Sequence, residues 1–97
     1  MPDGFDTGLA QLRVRDEVLQ IMYWMLGENI AHEIDAAYVA RFLAQPEARI
    51  APALEVLARE RLLLRGAAPG RYRLSEEGMR EGGRRFQDEF RDLTKQA

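Results

Sequence analysis

The chain has 97 residues, of which 16 are acidic and 14 basic, for a formal net charge of −2, and it has no cysteine. A single domain of this size buries only roughly 60 to 65% of the surface its unfolded chain exposes, so completion by a partner is expected from the outset. Without cysteine, disulfides, thiol catalysis and cysteine zinc sites are excluded, and the single histidine, His32, leaves little for metal or acid–base chemistry.

Neither an enzyme, a cofactor nor a bound metal is therefore expected. The first residues carry Asp3 and Asp6 and no base, and no apolar run approaches the length of a membrane span, which predicts a cytoplasmic protein without a signal peptide or membrane segment. Residues 1–8 hold Pro2, Gly4 and Gly8 among small and acidic residues and read as a flexible tail, leaving 9–97 as the folded domain. From Leu9 to Leu26 two apolar stripes recur at helical spacing, Leu12, Leu19, Met22 and Leu26 on one and Val14, Val18, Ile21 and Met25 on the other. Such a helix lies at the centre of its domain or gives one stripe to another subunit. Gly27 is the expected stop. Residues 28–34 show no firm period and are open to a loop or a short strand.

Asp35 is suited to cap a short second helix ending near Ala44, with Ala36, Val39, Ala40 and Leu43 on its inner side. Gln45, Pro46 and Glu47 read as N-cap and first two positions of a third helix, whose buried face is Ile50, Leu54 and Leu57. Pro52 falls inside that helix and predicts a kink or an irregular first turn. Leu62 to Leu64, a Gly/Pro-rich tip at 66–70 and the alternating Arg71 to Leu74 then form a two-stranded hairpin. Ser75, followed by Glu76 and Glu77, caps a last helix over about 75–95. Along it Met79, Gly83, Phe86, Phe90 and Leu93 make a heptad-like seam on an otherwise charged surface, the pattern of a homodimer interface. Gly82 and Gly83 together suggest a bend or a close helix crossing.

The order of three helices, a basic hairpin and a closing helix is that of a winged helix-turn-helix domain. The segment Ala37–Leu63, with Val39-Ala40-Arg41-Phe42-Leu43 before the turn and Ala53 to Leu63 after it, resembles the helix-turn-helix core of MarR- and PadR-like bacterial regulators. Tyr72-Arg73-Leu74-Ser75-Glu76-Glu77-Gly78 resembles the end of their wing. The resemblance implies a mostly α fold with a three-helix core, a two-stranded wing and a C-terminal helix. It also implies a dimeric transcriptional regulator that binds double-stranded DNA with helix 3 in the major groove and the wing on the flanking backbone. Where the family commonly has glycine, in the turn and before the first wing strand, this chain has Ala44 and Arg61.

Charge is distributed unevenly. Residues 61–74 hold Arg61, Arg65, Arg71 and Arg73 and no acid, whereas residues 1–35 hold 2 bases and 7 acids. Arg65, Arg71 and Arg73 on the wing and Arg49 near the start of helix 3 are the expected DNA contacts. Elsewhere the outer side of helix 3 presents Ala48, Pro52 and Val56 at four-residue spacing, beside Ala51 and Glu55. A small apolar strip suits neither solvent nor base edges, so the alternative function is a protein-interaction module that docks a polypeptide on helix 3. Tyr23 and Trp24 are open to a ligand pocket or to packing. His32-Glu33 has no second histidine to complete a metal motif.

Overall fold

The computed structural model describes the backbone of residues 3–96 and the side chains of residues 8–87. Helix α1 (Asp3–Gly27) is the axis of the molecule. It begins at Asp3, so residues 3–8, expected as a tail, are its first turns. Val14, Val18, Leu19, Met22 and Met25 are buried, drawn from both predicted stripes, because α2, α3, α4 and β3 all pack around this one helix. Leu12, by contrast, is 58% exposed. The helix ends at Gly27, as expected, but the left-handed residue that closes it is Asn29. Asn29 takes a left-handed φ of 57°, and the Ile30 and Asn29 amides donate to the carbonyls of Met25 and Leu26 at 2.8 and 3.1 Å.

The stretch left open by the sequence contains strand β1 (Ile34–Asp35). Asp35 then caps α2 (Ala36–Leu43), its Oδ1 accepting the Tyr38 amide at 2.9 Å. The turn into α3 (Glu47–Arg59) needs a left-handed residue, and Ala44 supplies it with φ 53°. There the Gln45 amide is drawn back to the Ala40 carbonyl at 3.1 Å. The N-cap of α3 is consequently Pro46, in extended conformation with ψ 139°, and Glu47 is the first helical residue, one position later than the sequence suggested. Pro52 leaves α3 continuous. Its missing hydrogen bond would have gone to the carbonyl of Ala48, an exposed residue.

Strands β2 (Leu63–Arg65) and β3 (Arg71–Leu74) form the wing, with Leu64 opposite Arg73 and Arg65 opposite Tyr72. On the other edge of β3, Ile34 pairs with Tyr72, so the sheet has three antiparallel strands in the order β1-β3-β2, not the two of a simple hairpin. Two residues are too few to show a period-2 pattern, which is why β1 had no sequence signal.

Ser75 both caps and anchors α4 (Glu76–Gln96): its Oγ accepts the Gly78 amide at 3.0 Å and donates to the Arg61 carbonyl at 2.7 Å. A Cβ on Gly78 would sit 2.0 Å from the Leu62 carbonyl oxygen, so only glycine lets α4 start against the wing base. The predicted close crossing is made by Gly82 and Gly83 against Tyr23 of α1; a Cβ on Gly82 would come within 2.8 Å of the Tyr23 Cβ. The core joins Val18, Leu19 and Met25 of α1, Val39 of α2, and Ile50, Leu54 and Leu57 of α3, all fully buried. At about 1.5 to 3 kcal/mol for each large side chain, these contacts hold α3 and the wing in a fixed relation. The architecture is a winged helix, mostly helical, with α4 laid along α1.

Candidate nucleic-acid interface

The inner side of α3 is committed to the core through Ile50, Ala53, Leu54 and Leu57. Its outer side carries Arg49, Pro52, Val56 and Arg59, spaced three, four and three residues and therefore aligned along one face. The two arginines stand about 15 Å apart along the helix, with a small apolar strip between them. The N-terminal half of α1, with Gly8, Gln11, Leu12 and Arg15, rises beside this face, and the two helices enclose an open groove of about 700 Å³ that also takes in Ala48 and Glu55. Neither Arg49 nor Arg59 makes an ion-pair contact among the described residues, although the Arg59 charge, one turn from Glu55, helps to lower the pKa of that carboxylate. Arg15, although it lines the groove, is held: it grips Glu60 through Nε and Nη2 at 2.6 and 3.0 Å and Asp16 through Nη1 at 2.6 Å. The hydrogen bond to Glu60 raises its already high pKa. Asp16 is also paired with Arg85 of α4 at 3.0 Å, so one chain of charges ties α4, α1 and the end of α3 together.

The wing is charged differently from what its sequence suggests. Arg65 turns toward α3 and meets Glu55 with both terminal nitrogens, at 3.2 and 3.0 Å. The buried Tyr72 donates its hydroxyl to the same carboxylate. These two donors, Arg65 first, depress the Glu55 pKa to about 2, and the same contact pushes the Tyr72 hydroxyl upward. Arg71 is engaged too: its Nε lies 3.3 Å from Glu33 Oε2, without hydrogen-bond alignment, and its Nη2 donates to the Glu33 carbonyl at 3.2 Å. Glu33 Oε1 in turn accepts the Ala67 amide at 3.0 Å, holding the wing tip. Arg73 stands exposed on the opposite side of the sheet, next to the exposed Leu64.

Of the four arginines selected from sequence, Arg49 and Arg73 are thus unpaired among the described residues, while Arg65 and Arg71 are tied to carboxylates. Ala48, Pro52 and Val56 come together with Leu12 in the groove. In the α4 seam, Met79 is 38% and Phe86 50% exposed; Phe86 also packs its ring on Tyr23 with centroids 6.2 Å apart, and Gly83 faces the Tyr23 hydroxyl. The side chains of Phe90 and Leu93 lie outside the described residues. Sequence reasoning missed Arg59, although its alignment with Arg49 was present in the spacing. It also missed Glu33 and Glu55 as partners of the wing, for which only the fold supplies the proximity. His32 is exposed, its Nε2 3.0 Å from Asn29 Oδ1, and no cluster of three metal-ligating side chains forms among the described residues.

With this geometry, the chain is similar to a solved structure of a mutant of Lactococcus lactis ZitR in apo form, with a TM-score of 0.67 over 94% of this chain and 67% of that one. At 14% identity the likeness is one of fold. No protein-family model and no curated protein sequence matches the chain. The class defined is a winged-helix protein whose described residues include no helix long and apolar enough to cross a membrane.

Proposed function

We propose that the chain is a DNA-binding regulator that acts as a homodimer and holds double-stranded DNA chiefly by its phosphates. The observation that carries this reading is the set of arginines on α3, the turn after it and the wing, Arg49, Arg59, Arg61 and Arg73, that make no ion-pair contact among the described residues. Guanidinium groups not held in an ion-pair contact bind phosphate by releasing condensed counterions, whatever the base sequence. The strip between Arg49 and Arg59 has no Asn, Gln or Ser for base edges, so affinity is expected to exceed specificity. The fold shared with ZitR and the MarR/PadR resemblance support the same class.

A titration of the full chain with random-sequence duplex at several salt concentrations tests it. Log affinity should fall linearly with log salt, at about 0.9 per phosphate contact. Affinity that does not respond to salt overturns the reading. The homodimer is supported by the exposed Met79 and Phe86 on α4, and light scattering of wild type and Phe86→Glu is its check: a wild-type monomer at micromolar concentration ends it.

The apolar groove favours a second reading, a protein-interaction module that seats a polypeptide on Leu12, Pro52 and Val56. Val56→Arg separates the two. Added charge on a DNA-facing surface strengthens duplex binding, whereas on a protein-facing surface it blocks the partner.

A further inference from the structure

Arg65 belongs to the wing by sequence, but electrostatically it belongs to α3. Its guanidinium meets Glu55 as a fork, Nη1 to Oε1 at 3.2 Å and Nη2 to Oε2 at 3.0 Å, the geometry with which arginine also grips a phosphate. The Tyr72 hydroxyl donates to Glu55 Oε1, and the Arg65 guanidinium lies 5.7 Å from the centroid of the Tyr72 ring. A carboxylate from the helical body therefore occupies the place on Arg65 that a phosphate oxygen pair would take. The pair is open to solvent, with side chains 65% and 45% exposed, so a phosphate can reach it.

We propose that Glu55 is an internal stand-in for DNA phosphate, a positioning residue that holds Arg65 away from the duplex and so sets how strongly the wing binds. The proposal rests on the DNA-binding reading. A phosphate that displaced Glu55 would leave the freed carboxylate beside it, and like charges at that separation repel. Arg65 is thereby withdrawn whether the pair is closed or opened. The wing then acts through Arg73, and its affinity for DNA is lower than its count of arginines implies. Tyr72 completes the device by fixing the Glu55 carboxylate toward β2.

The test is a double-mutant cycle read by duplex affinity from 50 to 200 mM salt, using the full chain and random-sequence duplex, with the fold of each variant checked by circular dichroism. Glu55→Gln should bind more tightly than wild type, with a log–log salt slope steeper by about 0.9, a three- to fourfold larger loss across that range. Glu55→Ala, with a better helix former at an open position, should do the same. Arg65→Ala leaves Glu55 unneutralised and should weaken wild-type binding slightly, but it should remove the gain, with its steeper slope, from the Glu55→Gln background. A gain that survives Arg65→Ala would reflect only a lost negative charge and overturns the proposal, as does no gain at all. If no variant binds duplex with a salt dependence, the DNA reading falls and the role of Glu55 with it; binding by wild type without coupling between the two sites overturns the role alone.

Discussion

The wing and the outer face of α3 reverse the ranking that their sequences suggest. The wing has four arginines and no acid within residues 61–74, yet two of them are matched by carboxylates from elsewhere in the chain, Arg65 by Glu55 and Arg71 by Glu33. α3 is electrically balanced by composition, yet Arg49 and Arg59 stand without ion pairs at the two ends of an apolar strip. Charge available to a partner is a property of tertiary contacts, because a cation beside a carboxylate has already been neutralised over the few ångströms that matter in salt.

The comparison is broken most directly by reversing the α3 cations. Arg49→Glu together with Arg59→Glu is expected to lower duplex affinity on the order of tenfold or more at low salt, read by fluorescence anisotropy, since two phosphate contacts become repulsions. Were the loss confined to wing variants, α3 would not face the duplex.

A smaller contrast lies within the wing. Arg73→Ala should lose about 0.9 of the log–log salt slope between 50 and 200 mM, as expected for one phosphate contact, whereas Arg71→Ala should lose less of it, its charge being engaged by Glu33. Equal losses would mean that the Glu33 pair opens on binding.

The Glu55 pair also predicts a pH response. Because folding lowers the Glu55 pKa from 4.5 to about 2, its contribution to stability is present above pH 4.5 and disappears as pH falls through that window toward 2. The difference in urea midpoint between wild type and Glu55→Gln should accordingly be constant from neutral pH to about pH 5 and shrink below it. A difference that persists unchanged at pH 2 would show that the carboxylate charge is not what holds the clasp.

The smallest effect concerns the turns that bracket α3. Ala44 and Arg61 both take left-handed backbone, with φ of 53° and 65°. Ala44→Gly should relieve this strain and raise stability by about 0.5 to 1 kcal/mol by chemical denaturation, although glycine elsewhere destabilises. Arg61→Gly should gain similarly in stability while losing one cation without an ion-pair contact, so that stability and DNA affinity move in opposite directions.

Several elements were legible because they depend on neighbours in the chain. The Asp35 and Ser75 caps, the inner face of α3, and the glycine pair at the α1–α4 crossing each follow from local hydrogen bonding, helical period or the absence of a Cβ. The left-handed turns were legible in a subtler way. At Ala44 and Arg61, where the resemblance called for glycine, the backbone keeps the glycine-like conformation under closing hydrogen bonds such as Leu62 to Leu57 at 3.0 Å. Helical extension to Asp3 was obscured by Gly4 and Gly8, which lower helix propensity without forbidding the helix.

What the sequence by itself determined is the order of the helices and the hairpin and the inward faces of α2 and α3, because hydrophobic period and capping are local and the core accepts only apolar faces. Tertiary structure alone decided which charges remain available. Glu33 and Arg71 are 38 residues apart, Glu55 and Arg65 only 10 but on separate elements, and neither pair has any periodic signature. Their meeting depends on where the sheet lies against α3, and Coulomb attraction, steep at contact and screened beyond it, turns that placement into the difference between a paired and an unpaired arginine.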